Sequence, residues 1–427
     1  MTENGNKNYP VRTLAVENFS VIKYAKLEFG KITVLIGPQA SGKSLLCKLA
    51  YFFEQRVSEL VFDGARNHAS LYQTEEQIIQ SFLSYFPEDD IEQKKFRVHY
   101  QIDPSFSISI GMNNTVRSPY LEWKNRDFIY SFKSWQSNDP KRPPSHSSDR
   151  RREFMSGADI GPLPIKSDSV YIPTGRSFFS TPNRGFAALS TKNLDWITNR
   201  FATDFDAEYS ALRESYQTNR VPLREIGSSS MEILKGRVIK EDSRLLFESI
   251  EDGGKLSFEI LSSGTLELLP IFNILAQVAK KTGDPIHSNM PSPSVGMVFT
   301  EEPELSVFPE TQYQFAKLIA SLAKSELLWK SYAITTHSPY ILSAFNNLIF
   351  AGQLGQDERL KKKIKIDERF WIEPGSFRAY SIHDGKSQSI LSETSLINGD
   401  YLDSVSETIG KEFDELLRLE YGTKKAS

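Results

Sequence analysis

The sequence predicts an α/β fold built around a phosphate-binding loop, with an antiparallel β-lobe and a mainly helical insertion. First, an apolar run of strand length, Ile32–Ile36, leads into a glycine-rich turn and an amphipathic segment, 45–53. Second, two later apolar runs, 295–299 and 332–334, each end in polar residues, as buried parallel strands do. Third, three short segments alternate apolar and polar residues, which indicates an antiparallel meander: 96–102, 106–110 and 128–132.

The N-terminal region is predicted to contribute two half-exposed strands before the buried one. Residues 12–16 and 21–29 alternate apolar and polar side chains, and Asn18-Phe19-Ser20 separates them.

The glycine-rich turn after Ile36 has the pattern G-x-x-x-x-G-K-S between a strand and a helix, which favours oligophosphate binding. Glycines let backbone N–H groups turn inward, and the helix N-terminus adds partial positive charge. We expect Lys43 to reach the β- and γ-phosphates of ATP and Ser44 to bind Mg²⁺. The alternative is an accidental glycine-rich turn. The expected ATP-binding residues are Gly37, Pro38, Gln39, Ala40, Ser41, Gly42, Lys43 and Ser44.

The segment after this helix is predicted to be helical to residue 93, with breaks at Asp63-Gly64 and Phe86-Pro87. After the meander, residues 137–164 are rich in proline and serine, which predicts a mobile loop. Its basic run, Arg150–Arg152, indicates either a solvated loop or contact with nucleic acid or an acidic partner.

The central part of the chain returns to the core. A strand is predicted at 169–173, helices at 189–216, and several short strands at 231–260 with a turn at 251–254. Residues Leu261-Ser262-Ser263-Gly264-Thr265 then open a helix, 266–281. Such a helix N-terminus favours anion binding, and the alternative is an ordinary N-cap.

Carboxylates follow the apolar run 295–299, where an ATP-hydrolysing protein needs them beside its phosphates. We expect Glu301 to orient Mg²⁺ or its water, and Glu302 to act as the general base. The alternative is an acidic loop. After the run 332–334, His337 is expected to contact the γ-phosphate, with a purely structural role as the alternative.

Composition limits the remaining classes of protein. The 427 residues carry a formal net charge of −3, which does not by itself indicate a nucleic-acid or membrane partner. Residues 1–10 lack the apolar region of a signal peptide, and no apolar run has the length of a membrane span. The single cysteine, Cys47, suits a reducing compartment. We therefore expect a cytoplasmic protein with no membrane contact.

Four motifs in order, GPQASGKS, LSSGT, FTEEPE and TTHSP, resemble those of ABC-class ATPases. The similarity is to the soluble branch with SMC proteins, RecF and the OLD family, and it covers about residues 12–53 and 258–344. It implies an ABC-type P-loop ATPase head in which Ser263 and Gly264 bind the γ-phosphate of ATP held by another subunit. It also places Arg176 near the nucleotide, with a simple turn residue as the alternative. One departure is the absence of histidines directly after Glu304.

The resemblance divides the chain into four parts. These are residues 1–57 and 231–345 as the two parts of the ATPase head, 58–230 as the insertion, and 346–427 as a strand pair with an acidic helix. The strand pair is predicted at 378–382 and 388–392, and the helix contains Leu402 and Leu416. Nothing after Asn346 resembles the Toprim nuclease domain of OLD proteins.

The chain therefore looks like an ATPase without its own effector. It resembles ATPase subunits of prokaryotic antiphage systems (Septu, PARIS and retron modules), which implies a homo-oligomer formed through sandwiched ATP that controls a separate nuclease or toxin. Three alternatives stay open: a RecF- or SMC-like DNA-repair ATPase that binds DNA, a scaffold that scarcely turns ATP over, and, less favoured, a transporter subunit.

Overall fold

The computed structural model describes residues 12–67, 69–87, 95–103, 106–113, 118–124, 167–180, 194–282, 296–325, 328 and 330–398. The predicted mobile loop at 137–164, the predicted strand at 128–132 and the predicted C-terminal helix lie outside these residues. The predicted helices at 189–216 are described from residue 194 onward.

The strands of the described residues form one large sheet and one small one. The large sheet contains β1 (Arg12–Phe19), β2 (Ile22–Phe29), β3 (Ile32–Ile36), β4 (Arg97–Asp103), β5 (Phe106–Asn113), β6 (Ser118–Trp123), β7 (Val170–Ile172), β11 (Gly296–Glu301), β12 (Lys330–Thr336), β13 (Phe377–His383) and β14 (Lys386–Ser389). The small sheet contains β8 (Gly236–Glu241), β9 (Arg244–Ser249) and β10 (Lys255–Leu256).

The helices lie between these strands. They are α1 (Lys43–Tyr51), a π-helix (Phe52–Val57), α2 (Ser58–Arg66), α3 (Leu71–Tyr85), α4 (Trp196–Asp204), α5 (Ser210–Ser215), α6 (Leu223–Leu234), α7 (Ser263–Thr282), α8 (Pro309–Lys324), α9 (Pro339–Leu354) and α10 (Glu358–Lys361). Short 3₁₀ turns are Arg176–Phe179, Phe258–Ile260 and Glu368–Phe370.

The large sheet has a parallel half and an antiparallel half. Its order is β6-β5-β4-β1-β2-β14-β13-β3-β12-β11-β7. Strands β13, β3, β12, β11 and β7 pair in parallel, whereas β1, β2, β4, β5 and β6 form antiparallel pairs. The predicted C-terminal strand pair is present as β13 and β14, and it lies in the middle of the sheet between β3 and β2.

Both faces of the parallel half are covered. Along β3, Ile32 and Val34 belong to one buried cluster, and Leu35 belongs to the other. Strand β11 divides in the same way, because Val298 packs in the first cluster and Met297 in the second. Burial on both faces explains the uninterrupted apolar runs in the sequence of these strands.

Two local expectations were wrong or incomplete, and one was confirmed. Gly64 does not break α2, since it allows close packing against Thr74 of α3, where a Cβ would collide with the threonine hydroxyl. The sequence reading also missed β6, because Pro119 disfavours a central strand and is tolerated here at the sheet edge. The several short strands predicted within 231–260 are present as β8, β9 and β10, which follow the end of α6 at Leu234, and the predicted turn lies between β9 and β10.

The predicted fold class is confirmed. A phosphate loop joins β3 to α1 in an α/β layer structure, and β1, β2 and β4–β6 form the antiparallel lobe. The segment 58–230 contributes mainly helices among its described residues. The four domain boundaries stay a prediction.

Candidate functional site

The loop from Gly37 to Ser44 wraps tightly around the side chain of Lys43. The Lys43 ammonium donates hydrogen bonds to the carbonyl oxygens of Gly37 and Pro38, each at 2.8 Å. Gly42 has a φ of +101°, and a Cβ at Gly37 would collide with the Ile382 carbonyl. Glycine is therefore required at both positions by backbone conformation or by close contact.

Two observations show that this loop fits an oligophosphate. Lys43 is only 4% exposed, and desolvation lowers its pKa, while the charges of Glu302 and Glu304 oppose that shift. The Ser41 hydroxyl is buried and has no hydrogen-bond partner among the residues that the structure describes. A buried cation and an unsatisfied donor at a helix N-terminus are the groups that phosphate oxygens satisfy.

Glu301 ends β11 and is held rigidly beside the start of α1. Its carboxylate accepts hydrogen bonds from the Tyr171 hydroxyl at 2.6 Å and from the Thr174 backbone N–H at 3.0 Å. The Tyr171 hydroxyl also lies 3.5 Å from the Ser44 carbonyl oxygen, so one side chain connects the two predicted magnesium residues. Two carboxylate oxygens offer about four acceptor positions, so Glu301 can still orient a metal-bound water.

Glu302 follows directly but has a different environment. Its backbone has a φ of +41°, and its N–H donates to the Thr335 carbonyl at 2.9 Å. Its carboxylate lies 3.3 Å from Nε2 of His337, and both side chains remain partly exposed. The structure therefore brings the predicted general base and the predicted γ-phosphate contact together at the end of neighbouring strands.

Glu304 supports this pair through hydrogen bonds to Thr336 and to the His337 backbone. Its Oε1 accepts hydrogen bonds from the His337 backbone N–H and from the Thr336 hydroxyl, both at 2.7 Å. Burial raises the pKa of the Glu304 carboxyl, and its Oε2 has no partner within the described part of the chain. The sequence predicted no role for Glu304. In the structure, its carboxylate holds the backbone at His337.

The predicted signature residues lie at the first turn of α7. Ser262 caps this helix, because its hydroxyl accepts from the Thr265 backbone N–H at 3.2 Å, and Ser263 is exposed. A Cβ at Gly264 would lie 2.6 Å from the Ser306 carbonyl oxygen, so glycine allows the helix to approach the segment after Glu304. The structure thus shows an N-cap at this turn and an exposed Ser263, and anion binding there stays a prediction.

The expected place of Arg176 beside the nucleotide stays a prediction, and the structure gives its contacts. It is fully buried, and its guanidinium donates to the carbonyl oxygens of Pro173, Glu267, Glu301 and Glu302. Sequence reasoning missed this role, as it missed Tyr171 and Thr174. The signal available was that a third strand, 169–173, ends in polar residues at the same sheet edge.

Two features are absent from the described residues. No group of three or more His, Cys, Asp or Glu side chains there could by itself hold a metal ion. Within the same residues, every helix is too short or too polar to cross a membrane.

Comparison with solved structures returns similar folds at low identity. The SMC head domain from Thermotoga maritima has a TM-score of 0.39 and 10% identity, covering 90% of this chain and 100% of that one. An SMC head with an extended coiled coil, bound to the C-terminal domain of ScpA and derived from Pyrococcus furiosus, has a TM-score of 0.37 and 13% identity. That match covers 93% of this chain and 99% of that chain. No curated protein matches the chain.

A family model matches residues 32–343, a span that begins at β3 and ends within α9. The family is described as "AAA domain, putative AbiEii toxin, Type IV TA system". Because the match covers more than half of the 427 residues, the chain belongs to this family of AAA domains.

Proposed function

We propose that this protein binds and hydrolyses ATP, and that two copies associate with ATP between the phosphate loop of one and the signature turn of the other. The observation that carries the proposal is the meeting of three strand ends. Glu301 at the end of β11, Glu302 after it, His337 after β12 and the loop after β3 all lie at one edge of the sheet. This is the arrangement that phosphoryl transfer to water requires.

The roles of the chain's own residues follow from their environments. Backbone N–H groups of the loop, Lys43 and Ser41 would hold the phosphates of ATP, and Ser44 with Glu301 would hold Mg²⁺ or its water. Bound Mg²⁺ supplies charge neutralisation at the phosphates. Glu302 is partly exposed and hydrogen-bonded to the protein mainly through its backbone, so its carboxylate can accept a proton from water. His337 restrains that carboxylate.

The second half of the proposal concerns association. Ser263 faces solvent at a helix N-terminus, which can donate to phosphate oxygens of another copy. Each copy carries both surfaces, the phosphate loop and the signature turn. Two identical copies that bind ATP between these surfaces therefore form a symmetric dimer with two equivalent sites.

ATP turnover and molecular mass, measured together, test this proposal. We expect the purified chain to release phosphate from ATP with Mg²⁺, and its mass to double with ATP but not with ADP. A chain that stays monomeric under every condition would refute the sandwich, and a chain with no turnover would refute the hydrolysis.

We further propose that the ATP-bound dimer controls a separate effector, a nuclease or toxin, in antiviral defence. The support is the toxin–antitoxin description of the family. The test is affinity capture from the native host with the wild type and with Lys43→Ala. Recovery of one nuclease or toxin that depends on Lys43 is expected, and recovery of no such protein would contradict the proposal.

A further inference from the structure

Helix α7, which carries the signature turn, contains a proline in its interior, Pro270. Proline has no N–H, so the carbonyl one turn earlier, at Leu266, loses its helical donor. The Ser180 hydroxyl donates to this carbonyl at 2.5 Å. The segment that begins at Arg176 is therefore hydrogen-bonded to α7 at the Leu266 carbonyl, the acceptor that proline leaves without a helical donor.

Arg176 binds the same helix one residue later. Its Nε donates to the Glu267 carbonyl at 2.9 Å, and the Glu267 carboxylate lies 3.5 Å from the same nitrogen. Glu267 is one helical turn from Ser263 and Gly264. Any shift of the signature turn along or around the helix axis therefore moves the acceptors of Arg176.

The other side of the guanidinium binds the end of β11 and the residue that follows it. Nη1 donates to the Glu301 carbonyl at 2.7 Å, and Nη2 donates to the Glu302 carbonyl at 3.0 Å. The same group also reaches the Pro173 carbonyl at 3.0 Å. One rigid plane thus joins α7 to both predicted catalytic-site glutamates.

Only arginine can make this connection. The guanidinium carries five donors in a fixed fork, whereas a lysine ammonium is a point charge on a flexible stem. Full burial of the group makes the hydrogen bonds obligatory, because a buried cation with unmet donors destabilises the fold strongly. The backbone at Glu302 is in the left-handed region, so its carbonyl needs such an external restraint.

We propose that Arg176 is a positioning residue that couples the signature turn of α7 to Glu302. When a second copy contacts Ser263 and Gly264, it fixes the position of α7. Arg176 transmits this position to the backbone of Glu302, which orients the Glu302 carboxylate. The inference rests on the proposed function, since it assigns a path from the subunit interface to the general base.

The experiment compares Arg176→Lys with the wild type in two measurements. Calorimetry gives the Kd for ATP, which should stay within about 3-fold because the phosphate loop is unchanged. Turnover should fall by about 10- to 100-fold, the cost of a small misplacement of a catalytic group. A loss of turnover without a loss of affinity supports the proposal, and unchanged turnover overturns it.

A double-mutant cycle separates positioning from general loss of stability. If Arg176 acts through Glu302, adding Arg176→Lys to Glu302→Gln causes no further loss in single-turnover assays. Independent losses that multiply would overturn the proposal.

Two control variants complete the design. Ser180→Ala removes a bond between the same turn and α7 but leaves the bonds to the glutamates, so turnover should stay within about 3-fold despite a lower melting temperature. A loss equal to that of Arg176→Lys would overturn the proposal. Arg200→Lys, on α4, is the matched arginine control and should keep wild-type turnover.

Two outcomes need separate treatment. If Arg176→Lys does not fold, Glu267→Gln carries the test, because it removes the carboxylate beside Arg176 Nε, and the same two criteria apply. A wild type without ATP turnover would refute the proposed function. A wild type that hydrolyses ATP, with both variants hydrolysing it equally fast, would instead overturn the positioning role of Arg176.

Discussion

The phosphate-loop region and the signature turn have opposite surroundings. Around the loop, Lys43 and Glu301 are 4% and 3% exposed, and groups of the same chain hold both: backbone carbonyls hold Lys43, and the Tyr171 hydroxyl holds Glu301. At the signature turn, Ser263 is exposed, and the nearby side chains of Ile260 and Phe308 are 66% and 76% exposed. The first region has its partners within the chain, whereas the second presents polar and apolar groups outward.

In the proposed function, this difference separates a half of the site that one copy supplies from a half that a second copy adds. Large apolar side chains beside exposed polar groups are typical of a surface that a second protein covers. A mutation in the phosphate-loop region should therefore change ATP binding by a single copy. The signature turn should respond only when two copies meet.

The largest effect is expected at Glu302. Glu302→Gln keeps the side-chain size but removes the proton acceptor, so turnover should fall by about 10²- to 10⁴-fold while ATP affinity is retained. Phosphate release and ATP titration measure the two quantities. Glu310→Gln, near the start of α8, is the exposed control. Wild-type turnover in Glu302→Gln would show that another group is the base.

Lys43→Ala should weaken ATP binding by about 100-fold, because a buried ammonium that would face phosphate oxygens is lost. Isothermal titration with ATP and Mg²⁺ measures the change. Lys48→Ala, further along α1, is the matched control and should bind ATP normally. Equal affinities of both variants would place the phosphates elsewhere.

The elements around the loop could be predicted because their signals are local. The strand Ile32–Ile36 was predicted at its observed bounds, and Glu301 was expected at the end of a strand that the structure extends to that residue. Continuous apolar runs and glycine-rich turns report buried strands and their ends without knowledge of distant partners.

The contacts that organise the site could not be predicted, since they join residues far apart in sequence. Arg176 reaches Glu267 across 91 residues and Glu301 across 125. The position of β13 beside β3 depends on burial of both faces, which the sequence pattern of a strand pair does not specify. Pairings of this kind are set by tertiary packing.

A mixing experiment tests whether the signature turn acts on the other copy. Ser263→Ala alone should lower turnover by about 10- to 100-fold, the effect of one lost donor at a phosphate. Mixed with Lys43→Ala, it should recover about a quarter of wild-type turnover, since half of the dimers then hold one intact site of two. No recovery on mixing would place Ser263 in the same copy as its phosphate loop.

The smallest effect is expected at Glu304, whose carboxylate holds the His337 backbone. Because burial raises the pKa of its carboxyl, the folded chain binds this proton more tightly than the unfolded chain does. The free energy of unfolding should therefore fall as pH rises from the ordinary carboxyl range, about pH 4, through the raised pKa. Glu304→Gln cannot ionise, and its amide oxygen can still accept from Thr336 and His337.

Urea unfolding across this pH range measures the difference between Glu304→Gln and the wild type. The variant should gain stability relative to the wild type as pH rises, because only the wild type must bury a charge. Glu310→Gln, at an exposed position, should show no such trend. A difference that is constant with pH, or that reverses in sign, would mean that hydrogen bonds from Thr336 and His337 outweigh desolvation at this carboxylate.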